Sequence, residues 1–230
     1  MKKKVLISTG GSGGHVIPAI AFYDHLKEKF DVFLTLDQRG SKFLEKEKYN
    51  FEIISAPRLT TNLIKLPFIF IMFFISIFIS IFFLKRKKID ILIGTGGYMS
   101  VPICIAAKIL NIKIYLFEPN MVMGRANKFL IKFSTKLFCY SQKIINFPDK
   151  EKSKLVLIDK ILRKEIYNFR DYNKDKIEDK INLLIVGGSQ GAKIFDENLK
   201  NSIIKLSKKY KLFIYHQVSS LDLKNLESFY

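Results

Sequence analysis

Lys4-Val5-Leu6-Ile7-Ser8-Thr9-Gly10-Gly11-Ser12-Gly13-Gly14-His15 opens the chain's order: an apolar run breaks into glycines, and residues 16–30 (VIPAIAFYDHLKEKF) then resume at helical spacing. The stretch reads as a buried strand over 4–8, a glycine turn, and a helix over 16–30. A signal peptide is the competing reading of three lysines before an apolar run. An h-region needs roughly 7–15 apolar residues, whereas this run stops at Ser8, so a strand is the better reading. Strand–turn–helix then repeats outward. Strands are expected at 31–36, 51–54, 89–93, 113–117 and 136–140, with a charged helix at 41–48 and helices at 100–110 and 124–134. Strands alternating with helices predict an α/β fold with a parallel, doubly wound sheet.

Residues 149–180 are charged and poor in strand signals, which marks a domain junction. The pattern then restarts with a strand over 181–186, the turn Gly187-Gly188-Ser189-Gln190-Gly191, a helix over 192–208 and a strand over 211–216. Two Rossmann-like domains are expected, 1–158 and 159–230, with a cleft between them. Two strands and a helix do not complete the second.

Composition narrows the partner. The chain carries 39 Lys+Arg against 21 Asp+Glu, a net charge of +18, and is 48% hydrophobic, which excludes a mostly disordered chain. The charge points to an anionic partner. Heavy Lys, Ile, Phe and Asn use matches an AT-rich genome, however, and no nucleic-acid-binding motif accompanies it, so nucleic acid is not the expected partner. Cys104 and Cys139 are too few and too far apart for a zinc site or a disulfide framework.

The first glycine turn has the character of a phosphate site: glycines let the backbone approach a ligand, and a helix N-terminus offers free N–H groups. It is not a dinucleotide fingerprint, because Val16 stands where the third glycine belongs, and no Gly-Lys-Ser/Thr makes it a Walker loop. Asp37, ending the second strand, reads as a loop residue more readily than as a ribose acid. His15 has two readings of equal standing, a general base in its neutral form or a capping and packing histidine. Gly94-Thr95-Gly96-Gly97-Tyr98-Met99-Ser100-Val101-Pro102 is a third glycine turn after a strand. Glu118-Pro119-Asn120 follows the next strand at the same carboxyl edge, where open α/β sheets bind ligands.

These stretches, with Pro18-Ala19, Gly124, Ala126-Asn127 and Gly-Gly-Ser-Gln-Gly-Ala from Gly187, closely resemble the MurG family in order and spacing. Its members are peripheral membrane glycosyltransferases of peptidoglycan synthesis. They move N-acetylglucosamine from UDP-GlcNAc to the polyprenyl-linked lipid I, giving lipid II. The resemblance implies a GT-B fold, an inverting mechanism and no tightly bound metal or other cofactor. It assigns His15 as general base or polariser of the acceptor hydroxyl. Ser12, Gly13, Gly14, Asn120, Arg163 and Ser189 become donor contacts, and Gly96, Gly97 and Tyr98 acceptor contacts. Phe117 and Pro119 stand where the family usually has His and Gln, and the Gly and Pro that usually precede Arg163 are absent. Family members also continue through the rest of the second domain. The alternative implied is an acceptor-binding module that needs a partner chain for the donor.

Leu66 to Leu84 is 19 residues without charge, followed by Lys85-Arg86-Lys87-Lys88. Its length fits a membrane span, but a span would split one sheet across a bilayer. The preferred expectation is an in-plane helix meeting lipid on its apolar face, with the basic run on anionic headgroups. This places residues 62–88 on the membrane surface and the protein at the cytoplasmic side.

Overall fold

A computed structural model describes residues 2–45, 47–57, 63–167, 180–187, 193–218 and 223–230. The chain forms two compact units, Met1–Arg170 and Asp171–Tyr230. The first holds β1 (Lys4–Ser8), α1 (Gly13–Leu26), β2 (Asp31–Leu36), β3 (Phe51–Ile53), α2 (Leu66–Lys87), β4 (Ile91–Gly94), α3 (Ser100–Ile109), β5 (Lys113–Glu118), α4 (Arg125–Leu130), β6 (Lys136–Cys139), β7 (Leu155–Leu157) and α5 (Lys164–Tyr167).

Its seven strands form one parallel sheet in the order β3-β2-β1-β4-β5-β6-β7. The winding runs outward from β1 to β3, then returns to β4 on the other side of β1. That reversal leaves a crevice between the loops after β1 and β4. Strand residues alternate between two apolar layers, as a pleated strand buried on both faces must. Val5 and Ile7 join Val16, Ile20 and Phe22 of α1, while Leu6 joins Leu84 of α2, Ile103 of α3 and Leu130 of α4.

Several local expectations change. The charged helix at 41–48 is only a 3-10 turn, Gly40–Phe43, because the Asp37 carboxylate takes the Gly40 N–H and sets a tight turn there. Helix α1 starts at Gly13 and stops at Leu26, inside the polar stretch His25 to Lys29. Strand β7, three residues in a charged stretch, pairs with β6. The units part at 170/171 rather than at 158/159. Residues 158–162 hold to the first unit through Ile158 N–H to the Cys139 carbonyl (2.9 Å), Ile161 N–H to Tyr140 Oη (3.2 Å) and His25 Nε2–H to the Leu162 carbonyl (2.9 Å).

Helix α2 has two surfaces along its length. Ser76, Ile77, Ser80, Phe83 and Leu84 are buried, and Phe73 and Ile81 pack beside them. Phe68, Phe70, Ile71, Phe74, Phe78, Ile79 and Phe82 are exposed, Phe78 to 72%. Among the described residues it is the one helix long and apolar enough to cross a membrane. Cys104 and Cys139 are buried and unpaired, and burial pushes the Cys104 thiol up to about 12, so it is inert at neutral pH.

The second unit comprises β8 (Lys180–Ile185), α6 (Lys193–Asn198), α7 (Lys200–Ser207), β9 (Lys211–His216) and α8 (Leu223–Glu227), with β8 and β9 parallel. The helix expected at 192–208 is two helices, interrupted at Leu199.

Candidate functional site

The site around the strand-order reversal is built from four glycine-lined or acid-capped loops. In the first, Ser12 is the N-cap of α1 with φ −122° and ψ 159°, and its exposed hydroxyl makes no capping bond. The first turn of α1 contains no acidic residue, so the positive end of its dipole is not neutralised from within. The first N–H groups of a helix, here those of Gly13 and Gly14, have no intrahelical acceptor. This combination suits a phosphate or another anion.

Asp37 shapes that turn from the end of β2. Its Oδ1 accepts from the N–H groups of Gly11 (2.9 Å) and Gly40 (2.8 Å), and its Oδ2 from Arg39 Nε (3.2 Å). Burial pushes this carboxyl up, but the two backbone N–H groups and the Arg39 guanidinium outweigh it and hold the carboxyl below its ordinary value. Arg39 Nη2 also donates to Tyr98 Oη at 2.8 Å, joining the loop after β2 to the loop after β4.

His15 faces the loop after β4. Its Nδ1 lies 2.9 Å from the Thr95 carbonyl oxygen, while Thr95 Oγ1 donates back to the His15 carbonyl at 3.2 Å. A carbonyl only accepts, so Nδ1 carries the proton and, in the neutral ring, Nε2 carries the free lone pair. Gly96 makes the close approach possible. Its φ is +90°, and a Cβ there would sit 3.2 Å from His15 Cε1.

Glu118, 2% exposed, closes the site at the end of β5. Its carboxylate accepts from Asn120 N (3.2 Å), Asn120 Nδ2 (3.0 Å), Gly124 N (2.8 Å) and Asn127 Nδ2 (3.0 Å). Four N–H donors satisfy a buried carboxylate without a cation. Asn127 Nδ2 also donates to the Phe117 carbonyl at 3.0 Å, which fixes the amide, and it lies 3.5 Å from where a Gly96 Cβ would stand. Phe117 itself is fully buried against Phe22 and Tyr140, so the ring that replaces the family's histidine is core.

The structure thus brings Ser12, Gly13, Gly14, His15, Gly96, Gly97, Tyr98 and Asn120 to one carboxyl edge. Arg163 does not join them. It follows Leu162, which is bound to His25, ten residues and roughly 15 Å along α1 from His15. Ser189 lies outside the described residues. Sequence reasoning missed the roles of Asp37, Arg39, Thr95, Glu118 and Asn127. That each carboxylate stands at the end of a parallel strand marked its place at the ligand-binding edge, though not the backbone N–H groups it organises. The described residues contain no cluster of three or more His, Cys, Asp or Glu able to hold a metal ion.

Comparison with known proteins follows the same outline. Residues 5–139 match the family model described as glycosyltransferase family 28 N-terminal domain. A curated Pelagibacter ubique protein, named UDP-N-acetylglucosamine--N-acetylmuramyl-(pentapeptide) pyrophosphoryl-undecaprenol N-acetylglucosamine transferase, is 55% identical over all of this chain and 64% of its own length. A protein of the same name from Caldicellulosiruptor saccharolyticus is 35% identical over 97% of this chain and 62% of its own length. The crystal structure of Acinetobacter baumannii MurG superposes with a TM-score of 0.73 at 27% identity, covering 99% of this chain and 64% of that one. The chain therefore spans just under two thirds of the relatives it matches. With its parallel sheet, its paired glycine turns and the match over residues 5–139, the chain belongs to glycosyltransferase family 28.

Proposed function

We propose that this chain is an inverting glycosyltransferase that moves N-acetylglucosamine from UDP-GlcNAc to lipid I, forming lipid II of peptidoglycan, with its first unit carrying the acceptor side. The observation that carries the reading is His15: it presents Nε2 at the strand-order reversal, its tautomer held by the Thr95 carbonyl. In the proposed step Nε2 takes the proton of the acceptor hydroxyl as that oxygen attacks the anomeric carbon of GlcNAc. The bond from that carbon to the diphosphate breaks on the opposite face, and UDP leaves with the electron pair. The N-terminus of α1, free of acidic residues, favours negative charge on a diphosphate beside it.

Tyr98, held by Arg39, and the Gly96–Gly97 backbone would line the acceptor, and Asn120, held by Glu118, would face the donor sugar. Arg163 and Ser189 are proposed as donor contacts on resemblance alone. The polyprenyl acceptor explains a membrane surface: the exposed apolar face of α2 would rest in lipid and Lys85 and Lys88 would meet anionic headgroups, at the cytoplasmic side of the cell membrane. The reading is tested by incubating the chain with UDP-GlcNAc and a lipid I analogue and identifying the product by mass spectrometry. A disaccharide product with release of UDP is expected. Failure of the chain both to form it and to bind the acceptor analogue contradicts the proposal.

A further inference from the structure

A second apolar surface lies away from α2. Met121 and Val122 follow β5, and Ile145 follows β6, and the three are 56%, 50% and 58% exposed. They do not hang on loose chain. Val122 and Ile145 form a parallel bridge, with Met123 N–H donating to the Ile145 carbonyl (3.0 Å) and Ile145 N–H to the Met121 carbonyl (2.8 Å). Their neighbours Met123 and Ile144 are buried in the same apolar layer as Phe83 and Leu84 of α2. The ridge is therefore braced from below and stands on the α2 side of the sheet, at its carboxyl edge.

Charge around the ridge has one sign. From Pro119 to Pro148 there is no Asp or Glu, while Arg125 and Lys128, on the first turns of α4, and Lys143, two residues before Ile145, are exposed. An apolar ridge flanked by exposed basic residues, with the neighbouring Glu118 carboxylate buried and fully bonded, complements an anionic lipid surface. Helix α2 reaches the same edge. Ser76 Oγ donates to the Ser55 carbonyl, just past β3, at 3.1 Å, so the ten residues Leu66 to Ile75 run beyond the sheet by up to roughly 15 Å. Two helix spacings, roughly 20 Å, separate α2 from α4 behind the ridge.

We infer that Met121, Val122 and Ile145 are a second lipid contact, which together with the N-terminal half of α2 turns the carboxyl edge of the sheet towards the bilayer. This rests on the membrane docking proposed above and adds its orientation. One contact line along α2 leaves the protein free to roll about that helix. A second point roughly 20 Å away fixes the roll and brings the His15 crevice to the headgroup level, where a lipid-linked acceptor carries its reacting sugar.

The chain contains no tryptophan, so single indoles report depth without background. Phe68→Trp, Val122→Trp, Ile145→Trp and, on the α1 side, Lys29→Trp are mixed with vesicles of brominated phosphatidylcholine and phosphatidylglycerol. Quenching at positions 68, 122 and 145 but not at 29 is expected. Val122→Asp with Ile145→Asp is expected to lower vesicle partitioning severalfold while leaving the far-UV circular dichroism unchanged. Quenching at 68 with water-like emission at 122 and 145 overturns the second contact and leaves the ridge to another occupant, such as a protein. No quenching at 68 overturns the docking of α2 itself, and the inference with it.

Discussion

Single residues at the crevice hold conformations that ordinary substitutions disturb. Gly96 needs φ +90° with His15 against it, so Gly96→Ala should cost about 1–3 kcal/mol and displace the imidazole. Thermal unfolding gives the first effect, and the His15 ring resonances in NMR the second. Asp37 sets a pH-dependent term. Its folded-state pKa is lowered, so its contribution is present in full above the unfolded value of about 3.9 and is lost as pH falls through the folded one. Asp37→Asn should therefore destabilise by about 1–2 kcal/mol at pH 7, a difference that shrinks well below pH 4 in urea titrations. The sequence made His15 and the glycines legible because their spacing is itself a signal. Asp37 and Glu118 were not legible as organisers, because their partners, Gly11 and Gly124, are backbone N–H groups that no residue type announces.

At the level of elements, α2 separates packing from docking within one helix. Leu84, 1% exposed, belongs to the core, and Leu84→Ala should cost about 2–5 kcal/mol in a denaturant melt. Phe78→Asp, on the opposite side, should change stability by no more than about 0.5 kcal/mol yet weaken binding to anionic vesicles. Equal effects of the two on stability would show that α2 is covered on both faces. Residues 66–84 are apolar at nearly every angle, so these surfaces were hard to divide beforehand; Ser76 and Ser80 on the buried seam, with hydroxyls bound to carbonyls, were the hint. Short elements misled in the other direction. Charge density at 41–48 imitated a helix, but the Gly40 turn wins locally, and the three apolar residues of β7 are too few to show a period.

At the scale of the molecule, alternation of strands and helices specified the α/β class, and the glycine turns marked the loops that gather at the carboxyl edge, while the strand order itself emerged only in the structure. The division between units was less legible. Residues 158–167 look like linker by composition, yet His25 and Tyr140 bind them to the first unit. The proposed mechanism stands on His15 as the base of glycosyl transfer. The direct measurement is the rate of GlcNAc transfer to a lipid I analogue by the chain and by its His15→Ala and His15→Gln variants, with folding checked by circular dichroism. A loss of about 10²–10⁴-fold in rate is expected in both variants, with acceptor binding retained. Transfer at the parent rate by either variant would contradict it.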